Sequence, residues 1–73
     1  MRVYTLVVND DKLNEEQREQ VERAGFEYED FGNGEYRRCY YLNFNKYTEA
    51  LELVELLEGL GGVDWMLKSF TDN

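Results

Sequence analysis

The chain is 73 residues long, 42% hydrophobic and 15% aromatic, with sixteen acidic side chains against eight basic ones and a net charge of −8. That length leaves room for one domain, and because such a chain buries only about 60% of the surface its unfolded form exposes, nearly every large apolar side chain is needed inside. The charge disfavours nucleic acid and anionic membranes as direct ligands, since phosphate binding rests on Lys and Arg; it favours a basic partner surface, with solubility as the plain alternative.

Cys39 is the only cysteine, so no internal disulfide forms and a cytoplasmic setting is expected. The opening MRVYTLVVND carries an apolar run too short for a signal peptide, and no run approaches the ~18 apolar residues of a membrane span. Residues 1–73 read as a single domain without linkers, low-complexity tracts or repeats.

Arg2 to Val8 is β-branched and apolar, as a central strand with both faces at least partly covered is. Asn9 to Lys12 connect it to a helix with Asn14 as N-cap, Gln17 at N3 completing a capping box, and Glu15 and Glu16 at the positive end of the dipole. The helix runs to about Ala24, with Gly25 in the left-handed C′ position and Phe26 packing back on Val21. Its apolar face is thin (Leu13, Gln17, Val21, Ala24). Opposite lie Glu15, Glu19 and Glu22, within pairing range of Arg18 and Arg23.

Phe26 to Phe31 alternates apolar and acidic residues as a half-exposed strand does, and Gly32-Asn33-Gly34 is a hairpin turn signal. The return strand spans Glu35 to Phe44. A two-residue loop would put Phe26 and Tyr28 on the face of Cys39 and Tyr41; a three-residue loop, preferred here, aligns them with Tyr40, Leu42 and Phe44 and gathers the large apolar residues together. Four acids, Glu27, Glu29, Asp30 and Glu35, surround this hairpin, with Arg37 and Arg38 placed to neutralise part of them.

Asn45 is the expected cap of a second helix, Lys46 to Leu60, which Gly59, Gly61 and Gly62 stop. Its apolar residues (Tyr47, Ala50, Leu51, Leu53, Val54, Leu56, Leu57, Leu60) cover roughly 220° of arc, against ~100° for an ordinary surface helix. The remaining arc holds Thr48, Glu52, Glu55 and Glu58, with Glu49 at its edge. No basic residue follows Lys46 before Lys68, so these four glutamates lack a partner of opposite sign at i+3 or i+4. Val63 to Phe70 is a last strand with Val63, Trp65 and Leu67 inward; Thr71 to Asn73 are a tail. The order βαββαβ, with right-handed crossovers, predicts an α+β ferredoxin-like sandwich: a four-stranded antiparallel sheet of order 4-1-3-2 with two helices on one face.

Catalytic and cofactor readings find no support. No histidine is available to activate Cys39, no phosphate-binding glycine loop precedes a helix, and the carboxylates lie on surface stripes rather than in contrasting environments. Asp10, Lys12 and Asn14 fall at the first ligand offsets of a calcium loop, but its glycine and terminal glutamate are absent. No enzyme, cofactor or metal is therefore expected. Arg37 to Phe44 matches the third-strand signature of RNA-recognition domains at Arg37, Tyr41, Leu42 and Phe44 but not at Arg38, Cys39 and Tyr40, with Tyr4 in the place of the first-strand stacking aromatic. Tyr4 and Tyr41 on an open sheet face would equally anchor a protein partner, in a small interaction or regulatory module.

The four carboxylates from Glu49 to Glu58 span about 13.5 Å of helix, one per ~4.5 Å of rise, near the ~3.4 Å phosphate spacing of one DNA strand. In size, charge, expected topology and these glutamates, the chain resembles the small acidic phage proteins that inhibit CRISPR effectors or other DNA-binding enzymes as DNA mimics. The resemblance spans the chain without a diagnostic motif. It implies an anti-CRISPR acting in the host cytoplasm on a basic surface where an effector reads the PAM or holds target DNA. The partner-binding candidates are the three acidic groups, on the second helix, the first helix and the hairpin, together with Tyr41.

Overall fold

The computed structural model describes residues 2–71. Strand β1 (Arg2–Asn9) lies at the centre of the sheet, with β3 (Arg38–Phe44) on one side and β4 (Trp65–Thr71) on the other, both antiparallel; β2 (Glu27–Asp30) flanks β3. The order β2-β3-β1-β4 is the expected 4-1-3-2 read from the other edge. The fold is the α+β ferredoxin-like sandwich. Central placement accounts for the continuous buried run from Leu6 to Asn9.

Strand alternation divides the side chains between two faces. Leu6 and Val8 of β1, Tyr40 and Phe44 of β3 and, half-buried, Trp65 and Leu67 of β4 join Val21 of helix α1 (Glu15–Arg23) and Ala50, Val54 and Leu57 of helix α2 (Tyr47–Leu60) in one core. Both helices therefore cover the same face of the sheet.

Local chemistry sets the ends of α1. The Asn14 side chain accepts from the Gln17 amide at 2.8 Å and the Gln17 side chain accepts from the Asn14 amide at 3.0 Å, so the capping box is complete. At the other end the Phe26 amide donates to Val21 O and the Gly25 amide to Glu22 O, the paired bonds of a Schellman ending. Gly25 has φ 101°, which a side chain with a Cβ adopts only with strain. Gln17 Nε2 also donates to the carbonyls of Leu60 and Gly61, so a polar residue on the thin face of α1 satisfies orphan carbonyls at the end of α2.

Helix α2 departs from expectation in two ways. Its N-cap is Lys46, without a side-chain bond, and not Asn45. Its buried arc is also narrower than its apolar arc, for Tyr47 and Leu51 remain 48% and 40% exposed. Helix α1 has nine residues with only Val21 buried, too little to cover the flank of α2. Tyr47 finds partial cover against Tyr4, with ring centroids 5.4 Å apart.

In the hairpin, Tyr28 stands opposite Tyr40 and Asp30 opposite Arg38, and the Phe31 amide bonds Arg37 O. The loop therefore runs from Gly32 to Tyr36, and β3 begins at Arg38 rather than Glu35. The register is two residues from that of a three-residue loop. An even displacement keeps every side chain on its expected face, and the Tyr28 and Tyr40 rings meet edge to face.

Candidate interaction surfaces

Glu49, Glu52, Glu55 and Glu58 are all exposed on α2, and none takes part in an ion pair or side-chain hydrogen bond among the described residues. Steps of three residues turn each carboxylate about 60° back around the helix, so the four wind through about 180°. They form a patch, not the straight phosphate-like track that their rise alone implies. The direction opposite the buried Ala50, Val54 and Leu57 falls between Glu52 and Glu55, which makes these two the centre of the outward face.

On α1, Glu15, Glu19 and Glu22 are exposed, but two have structural partners. Arg23 pairs with Glu19, and Tyr40 Oη donates to Glu22 at 2.7 Å. Burial, reinforced by that bond, raises the Tyr40 phenol pKa. Arg18 does not pair with a glutamate, as its spacing suggested; its guanidinium reaches Asp10 at 2.9 Å, whose side chain is the less exposed.

The hairpin group is divided in the same way. Glu27 accepts from Tyr41 Oη at 3.0 Å, a bond that raises the Tyr41 pKa. Asp30 accepts from the Gly32 amide, bracing its own turn, while Glu29 and Glu35 are exposed without a side-chain partner among the described residues. Arg37 and Arg38 form no ion pair with these acids among the described residues, although Arg38 stands opposite Asp30 in the ladder. Both turn to Asp11 in the 3₁₀ turn Asp10–Lys12. All four of Arg18, Arg23, Arg37 and Arg38 are thus engaged within the fold.

The uncovered face of the sheet carries a different surface. Phe31, at the base of the hairpin loop, and Tyr36, within it, wall a concave site of about 390 Å³ with Val7, Met66, Lys68 and Phe70 among its other lining residues. Phe31 is 64% and Phe70 52% exposed. The wall is fixed from below. Tyr36 Oη donates to Asp64 at 2.8 Å, while the buried Asn9 donates through Nδ2 to Glu35 O and to Asp64 and accepts from the Asp11 amide. Burial, then the bond to Asp64, pushes the Tyr36 pKa up to about 12. Cys39 lies buried on the floor, where desolvation, with Glu29 adding, raises its thiol pKa, the opposite of what a nucleophile needs.

Of Tyr4 and Tyr41, the two tyrosines expected on the open face, only Tyr41 belongs to it. Tyr4 pairs with Phe44 and packs toward the core on the helical side, because it shares the parity of Leu6 and Val8. Phe44 and Leu42 lie on that same helical side, so the residues matching the RNA-recognition signature are divided between the two faces and build no stacking platform. Phe31, Tyr36, Met66 and Phe70 were not candidates in the sequence; the signal was the apolar alternate parity of β4.

Among the described residues no three His, Cys, Asp or Glu side chains cluster as a metal site, and no helix is long and apolar enough to cross a membrane. Comparison with family models, with curated proteins and with solved structures finds no match to this chain.

Proposed function

We propose that this protein is an acidic inhibitor whose helical layer occupies a basic, nucleic-acid-binding surface of another protein and so blocks DNA binding. One observation carries the reading: Arg18, Arg23, Arg37 and Arg38 are all held in internal ion pairs, while Glu15, Glu49, Glu52, Glu55 and Glu58 project exposed from the helices with no ion-pair partner among the described residues. A field of one sign on one layer steers association with a basic surface and speeds encounter more than it adds contact energy. The competing ligand is DNA, whose own affinity for that surface rests on the same Lys and Arg.

The resemblance to phage-encoded anti-CRISPR proteins makes the PAM-reading or target-DNA surface of a CRISPR effector, in the host cytoplasm, the first partner to test. Mimicry here is of charge density, centred on Glu52 and Glu55, and not of phosphate spacing. In a pull-down with candidate effectors, duplex target DNA displaces the protein, and the complex weakens steeply with salt. Charge reversal at Glu52 and Glu55 weakens it more than Tyr41→Ala. A bound effector that keeps its full affinity for DNA overturns the proposal. Salt-insensitive association lost with Tyr41→Ala would instead put the interface on the open sheet face.

A further inference from the structure

The two edges of the sheet are unlike. Edge strand β2 is four residues long, Glu27–Asp30, fully exposed and acidic at three of them, a short charged edge of the kind that resists added strands. Edge strand β4 has seven residues, Trp65–Thr71, pairs among the described residues only with β1, and carries a single charge, Lys68. Long, weakly charged edges invite strand addition unless something blunts them. Here the open-face residues of that edge, Met66, Lys68 and Phe70, line the concave site whose opposite wall Tyr36 and Asp64 hold in place.

We propose that the outer edge of β4, with the groove beside it, binds an extended peptide segment of a partner protein, which joins the sheet as a fifth strand and sets a carboxylate flanked by apolar side chains against Lys68. Alternation places every second residue of an added strand on the open face. A residue directly opposite Lys68 has its Cβ within about 4.5–5.5 Å, close enough for an opposite-charge pair, and its neighbours two positions away meet Met66 and Phe70. Lys68 has no ion-pair partner among the described residues, and the surrounding lining is mainly apolar, so an acidic side chain between apolar ones is the complement of this edge.

A second copy of the chain fits less well. Two-fold pairing centred on β4 sets Lys68 opposite itself, an unfavourable like-charge pair, and brings together two molecules of net charge −8. The site lies on the opposite layer from the acidic helices and stands independently of the function proposed above.

The test is a titration of isotope-labelled protein with the peptide acetyl-Thr-Val-Thr-Glu-Thr-Val-Thr-amide, followed through its amide resonances. Saturable shifts confined to β4 and the groove-lining residues are expected in the millimolar range. Replacing the peptide's glutamate by lysine weakens binding about fivefold, the ceiling for an exposed ion pair, and Lys68→Glu reverses that preference. Methylating alternate peptide nitrogens abolishes binding by removing strand donors. Absence of saturable shifts, shifts on the helices or on β2, or a preference unchanged by Lys68→Glu would overturn the proposal; concentration-dependent self-association through β4 would do the same.

Discussion

The helical layer and the open sheet face are both solvent-facing, and they solve opposite problems. The outward side of α2 is convex and carries carboxylates with no ion-pair partner among the described residues. The sheet face is concave and apolar, with Lys68 as the one charge among the described residues that line it. An antiparallel sheet with one solvated face ordinarily places polar residues at its outward positions. Val7, Cys39, Tyr41, Met66 and Phe70 break that rule on this sheet, as unpaired glutamates break the habit of helices to pair charges at i+4. Each surface thus departs from what the fold alone requires, one by charge and the other by burial. Substitutions that damage one surface and spare the other separate their roles.

The largest effect comes from removing what both surfaces share. Leu57 is 1% exposed between α2 and the sheet, and Leu57→Ala is expected to cost about 2–5 kcal/mol in urea unfolding through lost transfer energy and a residual cavity. Both surfaces fail together in that variant. Asn9→Ala acts on the sheet side alone. It leaves Glu35 O, Asp64 and the Asp11 amide short of partners and is expected to cost about 1–3 kcal/mol, with amide shifts concentrated in the Gly32–Tyr36 loop rather than in α2.

Charge reversal on the other layer has the converse signature. Glu52→Lys with Glu55→Lys is expected to leave unfolding within about 0.5 kcal/mol of the parent, as surface changes do, while weakening a basic partner's binding about tenfold or more, equivalent to ~1.4 kcal/mol. Equal loss of stability and binding would mean that these glutamates serve the fold.

Alkaline unfolding sharpens the description of the sheet wall. An unfolded tyrosine ionises near 10.0, whereas Tyr36 in the fold does so at about 12. Its stability contribution is complete below pH 10 and is lost as pH rises through the folded value, since the unfolded chain releases the proton first. Tyr40 is displaced in the same direction. Urea midpoints should fall above pH 10, and less steeply in Tyr36→Phe. The smallest effect belongs to the exposed Arg23–Glu19 pair, where Arg23→Ala should change stability by about 0.3–0.5 kcal/mol.

Much of the fold was legible because its signals are local. Asn14 and Gln17 announce the start of α1 and Gly25 its end, while the apolar alternation of β3 fixes which face meets the helices. The acidic groups were legible as residues but not as a surface. Whether Arg18 turns to Glu15 or to Asp10, and whether Arg37 and Arg38 turn to the hairpin acids or to Asp11, depends on where the 3₁₀ turn lies in space, which no spacing along the chain reveals. The groove stayed hidden for a related reason. Its wall requires the loop after β2 to be five residues long and pinned by Tyr36 to Asp64, a contact between positions far apart in sequence. Tyr4 was misplaced because an aromatic mid-strand suggests a stacking platform, although its parity with Leu6 and Val8 already assigns it to the core.

Competition between the acidic helical layer and DNA for one basic surface is read out by measuring an effector's affinity for PAM-containing duplex DNA at rising concentrations of this protein. Apparent DNA affinity is expected to fall in proportion to added protein, with the effect abolished by reversing Glu52 and Glu55 and retained in Tyr41→Ala. A ternary complex in which the effector holds both the protein and DNA at undiminished affinity would contradict it.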